Sequence, residues 1–259
     1  MAIRAKKSDI PKFGGFPFPM LPTRQIPFEN PQLPAGQSVY NEQEMKKQVI
    51  DVLWNKLFYI FELPAFDESG AELLNGWSKA GTGGSLSTSG TTNNRLVMQS
   101  GGTINNNIIV ARDPNNQGFI TYSKEQRLRT AFQIDLVTDV EAYLTRGAGN
   151  SDDYYGFKLS NSTLYGVTRK GAGAEQTVVL VTISTGTVYT LEAIFSPTGR
   201  VDFNVKDETS GTKTTGSISG NLPVGVDVNF TLFYASLKNT TTSTQKIMEI
   251  NYFEYLQER

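Results

Sequence analysis

The sequence of 259 residues contains no cysteine and no histidine. Without cysteine there is no disulfide, no thiolate nucleophile and no Cys-ligated zinc or iron–sulfur site. Without histidine, the side chain best suited to acid–base work near neutral pH is missing, and so is the commonest metal ligand. Triad hydrolases in their usual form and HExxH metalloproteases go with it. No run approaches 18 consecutive apolar residues, so no membrane insertion is expected. An excess of one charge is also lacking. The 24 basic and 25 acidic residues leave a net charge of −1, which excludes the broad positive footprint of a nucleic-acid binder. The opening stretch MAIRAKKSDIPKF is basic but has no apolar h-region, and a secretory signal is not expected. These gaps predict a protein that is not an enzyme and uses no cofactor.

Apolar residues make up 38% of the chain, enough for a sizeable core. Proline is concentrated at one end, with seven of the 11 between residues 11 and 34. Such spacing blocks helix and central strand and favours extended backbone. Residues 1–40 carry five basic and two acidic groups, about +3, against 19 basic and 23 acidic, about −4, in the rest. Phe13, Phe16, Phe18, Leu21, Ile26 and Phe28 lie in this stretch, too much apolar surface for a solvated linker. They predict a docking arm that lies in a groove of a partner, the alternative being a disordered tail. Residues 41–60 read as one amphipathic helix. Asn41 and Glu44 form a capping box, and Met45, Val49, Val52, Leu53 and Leu57 recur at helical spacing.

The remainder, 61–259, reads as one β domain. Strand-like runs alternate with SNST at 160–163, STGT at 184–187, SPTG at 196–199 and TSGT at 209–212. The longest pattern runs through 132–144, where Phe132, Ile134, Leu136, Val140, Ala142 and Leu144 share one face. Gln133, Asp135, Asp139 and Glu141 share the other. In 226–237 the expected apolar face holds Leu232 and Tyr234, opposite Thr231 and Phe233. The polar stretch 80–94 reads as a surface loop or short edge strands.

The segments FELPAFDESGAELLNGW (61–77), YYGFKLSNSTLYGVTRKG (154–171), TVYTLEAIFSPTGRVDFNV (187–205) and IMEINYFEYLQ (247–257) carry a resemblance. Their strand rhythm and turn placement resemble the concanavalin A-like (laminin G-like) jelly roll, especially forms found in tailed-phage virion structural proteins. The resemblance implies an all-β sandwich of two large antiparallel sheets, with the first and last strands side by side. It implies a virion structural protein, a capsid decoration or a head or tail fibre component, located in the virion and assembled as a homotrimer. Its partners would be other virion proteins: major capsid, tail or portal. A carbohydrate-binding receptor-recognition or adhesin module that contacts a host surface glycan is the alternative, and a jelly-roll glycoside hydrolase a more remote one.

Candidate sites each have an ordinary reading beside them. Asp139 and Glu141, two apart on one strand, would project about 6–7 Å apart, near the separation of paired catalytic carboxylates. Gln133 stands where such enzymes carry a first Glu, and a solvated strand face accounts for the row. No catalytic residue is assigned. With Trp77, Tyr154, Tyr155 and Tyr165, these two acids also make a candidate glycan platform, the alternative being core packing. DPNNQG at 113–118 has the look of a calcium loop, with Asp113 and Asn115 at alternate positions and Asp152 and Asp153 as further carboxylates. Lys124 occupies the twelfth position, and an ordinary turn is preferred over a metal site. Sequons at Asn161, Asn229 and Asn239 matter only in a secretory pathway.

Overall fold

The computed structural model describes residues 57–62, 77–89, 95–112, 121–147, 153–224 and 231–258. Within them the chain forms strands and no helix. In order these are β1 (Leu57–Glu62), β2 (Trp77–Ala80), β3 (Ser85–Ser89), β4 (Arg95–Gln99) and β5 (Asn107–Arg112). Next come β6 (Gln126–Ile134), β7 (Val140–Arg146), β8 (Tyr154–Ser160), β9 (Thr163–Arg169) and β10 (Gln176–Thr182). The last are β11 (Tyr189–Ser196), β12 (Arg200–Asp207), β13 (Lys213–Ile218), β14 (Phe233–Asn239) and β15 (Ile247–Glu258). One sheet runs β13-β12-β11-β6-β15-β4-β3, with β1 also paired to β15, and the other runs β10-β9-β8-β7-β14-β5-β2. The strand pairs are antiparallel, and first and last strands lie side by side, Leu57 opposite Glu258. Residues 57–60, expected at the end of a helix, are therefore extended. The rest of the expected helix and the whole 1–40 arm lie outside the described residues.

Alternation decides what each strand buries. In β11, Tyr189, Leu191, Ala193 and Phe195 are buried while Thr190, Glu192 and Ile194 are only partly so. A face that is apolar at every second position must pack on another sheet, and it does. Phe195 stacks on Tyr155 of β8 at 5.2 Å, and Phe203 of β12 meets Phe157 edge-on at 5.6 Å. At the other end Trp77, Phe233 and Phe253 form a second aromatic group, with the last two stacked at 4.7 Å. Toward the β10/β13 edge the sheets approach closely where small residues face inward. A Cβ on Gly166 would lie 2.5 Å from Phe203 Cδ2, and one on Gly216 would lie 2.6 Å from Leu180 Cδ2.

Two expected faces change. The run 132–144 is not one strand: β6 ends at Ile134 in one sheet and β7 begins at Val140 in the other. Residues 135–139 cross between them, and Asp139 adopts a left-handed conformation (φ 53°). Asp135 accepts a hydrogen bond from the Ile247 backbone N–H at 2.7 Å and fastens this crossing to β15. Leu232 is in the core as expected, but in β14 it is Phe233, with Ala235 and Leu237, that joins it, so the parity expected at Tyr234 is reversed. Residues 225–230 lie outside the described set. Ser85–Ser89 is a short edge strand, one of the two forms expected for the polar stretch.

Candidate functional site

The sequence-derived residues divide between the inside and the outside of the sandwich. Trp77 is 5% exposed and packs edge-on against Phe233 and Phe253, so its ring presents no face to solvent. Tyr155 lies fully buried between the sheets, its hydroxyl donating to Gln126 Oε1 at 3.1 Å. These two correct the platform expectation, because neighbouring strand residues point to opposite faces and both positions fall inward. Asp139 sits in the inter-sheet crossing, where Thr241 donates a hydrogen bond to it, so it does not share a strand face with Glu141. Asp153 accepts a hydrogen bond from the Gly171 backbone N–H at 3.2 Å through Oδ1. Asp113, Asn115 and Asp152 lie outside the described residues, as do Phe13, Phe16, Phe18, Leu21, Ile26 and Phe28. Among the described residues, no group of three or more His, Cys, Asp or Glu side chains could hold a metal ion.

Tyr154 and Glu141 do come together, through Lys158, on the outer face of the seven-stranded sheet. Strand register sets Tyr143, Lys158 and Tyr165 side by side across β7, β8 and β9. Lys158 Nζ lies 3.0 Å from Glu175 Oε1, 3.7 Å from Glu141 Oε2 and 5.1 Å from the centre of the Tyr143 ring. Tyr154 donates to Glu175 Oε2 at 2.6 Å and meets Tyr143 edge-on at 6.3 Å. Burial pushes the Tyr154 hydroxyl well up, and its bond to Glu175 acts the same way. Burial alone would pull Lys158 down, but its hydrogen bonds with Tyr143 and Glu175 outweigh that and raise it. The positive charge is thus matched by two carboxylates and a ring. The cluster fastens the Glu175 segment to the sheet and keeps little capacity for a ligand.

Open capacity lies on the outer face of the eight-stranded sheet. A groove of about 370 Å³ is lined by side chains of β6, β11, β12 and β13. Two adjacent cross-strand rows build it. Arg129, Glu192, Asn204 and Thr215 face one another in sequence across the four strands. The second row sets Ala131, Thr190, Lys206 and Lys213 beside them. Tyr252 of β15 is opposite Ala131 and extends this row. The groups are held in place by one another and by partners outside the groove. Glu192 accepts from Asn204 Nδ2 at 2.9 Å and pairs with Arg127 at 3.4 Å. Arg129 pairs with Glu254 at 3.7 Å and lies 6.0 Å from the Tyr252 ring centre. Lys206 pairs with Glu208 at 2.5 Å, and Thr190 donates to the same carboxylate at 2.6 Å. Amide, hydroxyl, carboxylate, ammonium and guanidinium groups therefore converge on a shallow trough on rigid strands.

No protein-family model matches the chain, and no curated protein is significantly similar in sequence. Solved structures do match in fold. A protein of unknown function from Shewanella oneidensis MR-1 superposes with a TM-score of 0.60 at 16% identity, over 85% of this chain and 95% of that one. Botulinum neurotoxin type C, which depends on interaction with two ganglioside molecules to enter cells, matches with a TM-score of 0.54 at 12% identity. That match spans 80% of this chain and 49% of the toxin chain. The binding domain of botulinum neurotoxin DC, solved in complex with rat synaptotagmin II, gives 0.51 at 10% identity over 75% of this chain and 47% of that one. The described residues form a two-sheet β-sandwich of jelly-roll type, similar in fold to these structures. At these identities the likeness concerns fold and carries no site residue across.

The groove is the feature that the sequence alone did not reveal. Its lining residues span positions 129 to 215, and apart from the buried Val205 they are unremarkable polar residues. The available signal was the meander β11–β12–β13, whose hairpin turns imply that Thr190, Glu192, Asn204, Lys206, Lys213 and Thr215 share one face.

Proposed function

We propose that this jelly roll is a non-enzymatic carbohydrate-recognition module whose ligand lies in the groove across β6, β11, β12 and β13. The observation that carries the reading is the double row of fixed hydrogen-bonding groups, with Tyr252 at its end. Adjacent strands are about 4.8 Å apart, so donors and acceptors sit on a lattice comparable in scale to a sugar ring's hydroxyls. Saccharide hydroxyls both donate and accept, and this lining offers both. The fold supports the reading, since the neurotoxin structure that shares it belongs to a protein that interacts with gangliosides.

A glycan array probed with the full chain tests it. Reproducible binding is expected, and Asn204→Ala or Thr190→Val should each weaken it about fivefold, the scale of one hydrogen bond of roughly 1 kcal/mol. Melting temperature should stay near that of the parent. A silent array, or binding indifferent to both changes, refutes the proposal.

A second reading places the module on a virion, as a capsid decoration or fibre component attached to other virion proteins as a homotrimer. The sequence feature that favours it is the proline-rich arm with its six large apolar anchors between Phe13 and Phe28. The two readings are compatible, because a receptor-recognition module needs an attachment point.

A further inference from the structure

We infer that the groove accepts an acidic saccharide, one bearing carboxylate or sulfate groups, and this rests on the reading of the groove as a glycan site. Charge in the lining is lopsided. Arg129, Lys206 and Lys213 oppose one carboxylate, Glu192, which gives a formal +2 from the lining residues. Counting the partners outside the lining as well, Arg127, Glu208 and Glu254, the surplus falls to +1 and is carried by Lys213; the 219 residues after position 40, with 19 basic and 23 acidic groups, carry −4. Glu192 is itself engaged by Arg127 and Asn204, so its charge is already compensated from the side away from the lysines.

The arrangement of the two lysines is the more telling observation. Lys206 and Lys213 are direct cross-strand partners on the same face of β12 and β13. Like charges placed directly opposite destabilise a sheet pair. Glu208 offsets one of them at 2.5 Å, while Lys213 has no carboxylate partner among the described residues. An anionic group bridging the two ammoniums would relieve the repulsion. A neutral sugar would leave the repulsion in place. The juxtaposed lysines therefore point to a ligand whose negative charge supplies what the free protein lacks.

The test uses matched probes differing in charge: hexagalacturonate against its methyl ester, and a chondroitin sulfate hexasaccharide against its desulfated, carboxyl-esterified form. Each is titrated calorimetrically into the full chain and into Lys206→Gln, Lys213→Gln and the double variant. An acidic probe should bind at least about tenfold more tightly than its neutral partner, with the preference shrinking as salt rises. The double variant should lose most of that preference while its affinity for the neutral probe changes less than about twofold. Lys213→Gln should melt no lower than the parent, since it removes a like-charge contact. Equal affinity for charged and neutral probes overturns the inference and leaves the glycan site standing. Binding of neither overturns the inference, the glycan reading then standing or falling on the array, and an acidic preference that persists in the double variant overturns the assignment to these lysines.

Discussion

Replacing Gly166 with alanine tests how closely the two sheets meet beneath the groove. The added methyl would lie 2.5 Å from Phe203 Cδ2 and 2.7 Å from Cγ, distances at which something must move. Phe203 is fully buried and edge-on to Phe157, so its ring has no free volume to turn into. Overpacking of this kind costs about 1–3 kcal/mol. For a domain of this size each kcal/mol lowers the melting temperature by about 2–4 °C, so the expected drop is about 2–12 °C by calorimetry. Gly166 is not among the glycines with a left-handed φ, so the cost belongs to the contact and not to the backbone. Two controls follow from that. Phe203→Leu should destabilise alone, yet the double variant should be more stable than the two losses added, by about 1 kcal/mol or more. Gly216→Ala, whose methyl would meet the end of the flexible Leu180 side chain, should cost less than Gly166→Ala. Phe203 is followed in β12 by Asn204, which faces the groove, so the same change should also weaken glycan binding. A melting temperature within 1 °C or so of the parent, or strict additivity in the double variant, would refute the close packing.

Alkaline pH should destabilise the domain, because Tyr154 and Tyr143 are raised chiefly by burial and Lys158 by its bonds with Tyr143 and Glu175. Groups raised in the fold keep protons that the unfolded chain releases, so stability is retained below about pH 10 and falls above it. Thermal melts across pH 8–12 check this, and Glu175→Gln should flatten the decline. Expression through a secretory pathway should glycosylate the exposed Asn161 turn but not Asn239, which is buried with its amide donating to Gly101 O at 2.6 Å; peptide mapping reads the outcome. Deleting residues 1–40 should leave the melting temperature of the β domain nearly unchanged while abolishing attachment to a particle. An undiminished attachment would make the arm a tail.

Inward positions were legible in the sequence because period-two alternation reports the difference between core and solvent directly. The turn signals at 160–163, 184–187, 196–199 and 209–212 fall between β8 and β9, β10 and β11, β11 and β12, and β12 and β13. The pattern does not say which sheet a strand joins. Phe132, Ile134, Val140, Ala142 and Leu144 are all buried as expected, yet they serve two different sheets. Ile134 and Val140 are six residues apart, so a crossing inserted between them leaves the alternation in phase and invisible. Tyr154 and Tyr155 show the same limit at single-residue scale. One of two neighbours must face inward, and composition cannot choose which; here Tyr155 joins the core and Tyr154 reaches Glu175.

Outward positions are constrained differently, and that is where recognition resides. A solvent-facing residue on a sheet answers mainly to its cross-strand neighbours. On this outer face most charged neighbours are of opposite sign: Arg129 with Glu254, Arg127 with Glu192, Arg95 with Glu249. Such pairs tune a surface without needing a partner molecule. Lys206 opposite Lys213 breaks the pattern at the pair closing the groove, on strands whose inner face is pinned by Phe203 against Gly166. A floor this tightly packed does not separate the ammoniums by moving the backbone; the exposed side chains can swing apart into solvent, and a neighbouring anion would instead hold them together. Glu208 supplies such an anion to Lys206 alone. The unrelieved share sits on Lys213, and a bound acidic group would remove it without disturbing the sheet.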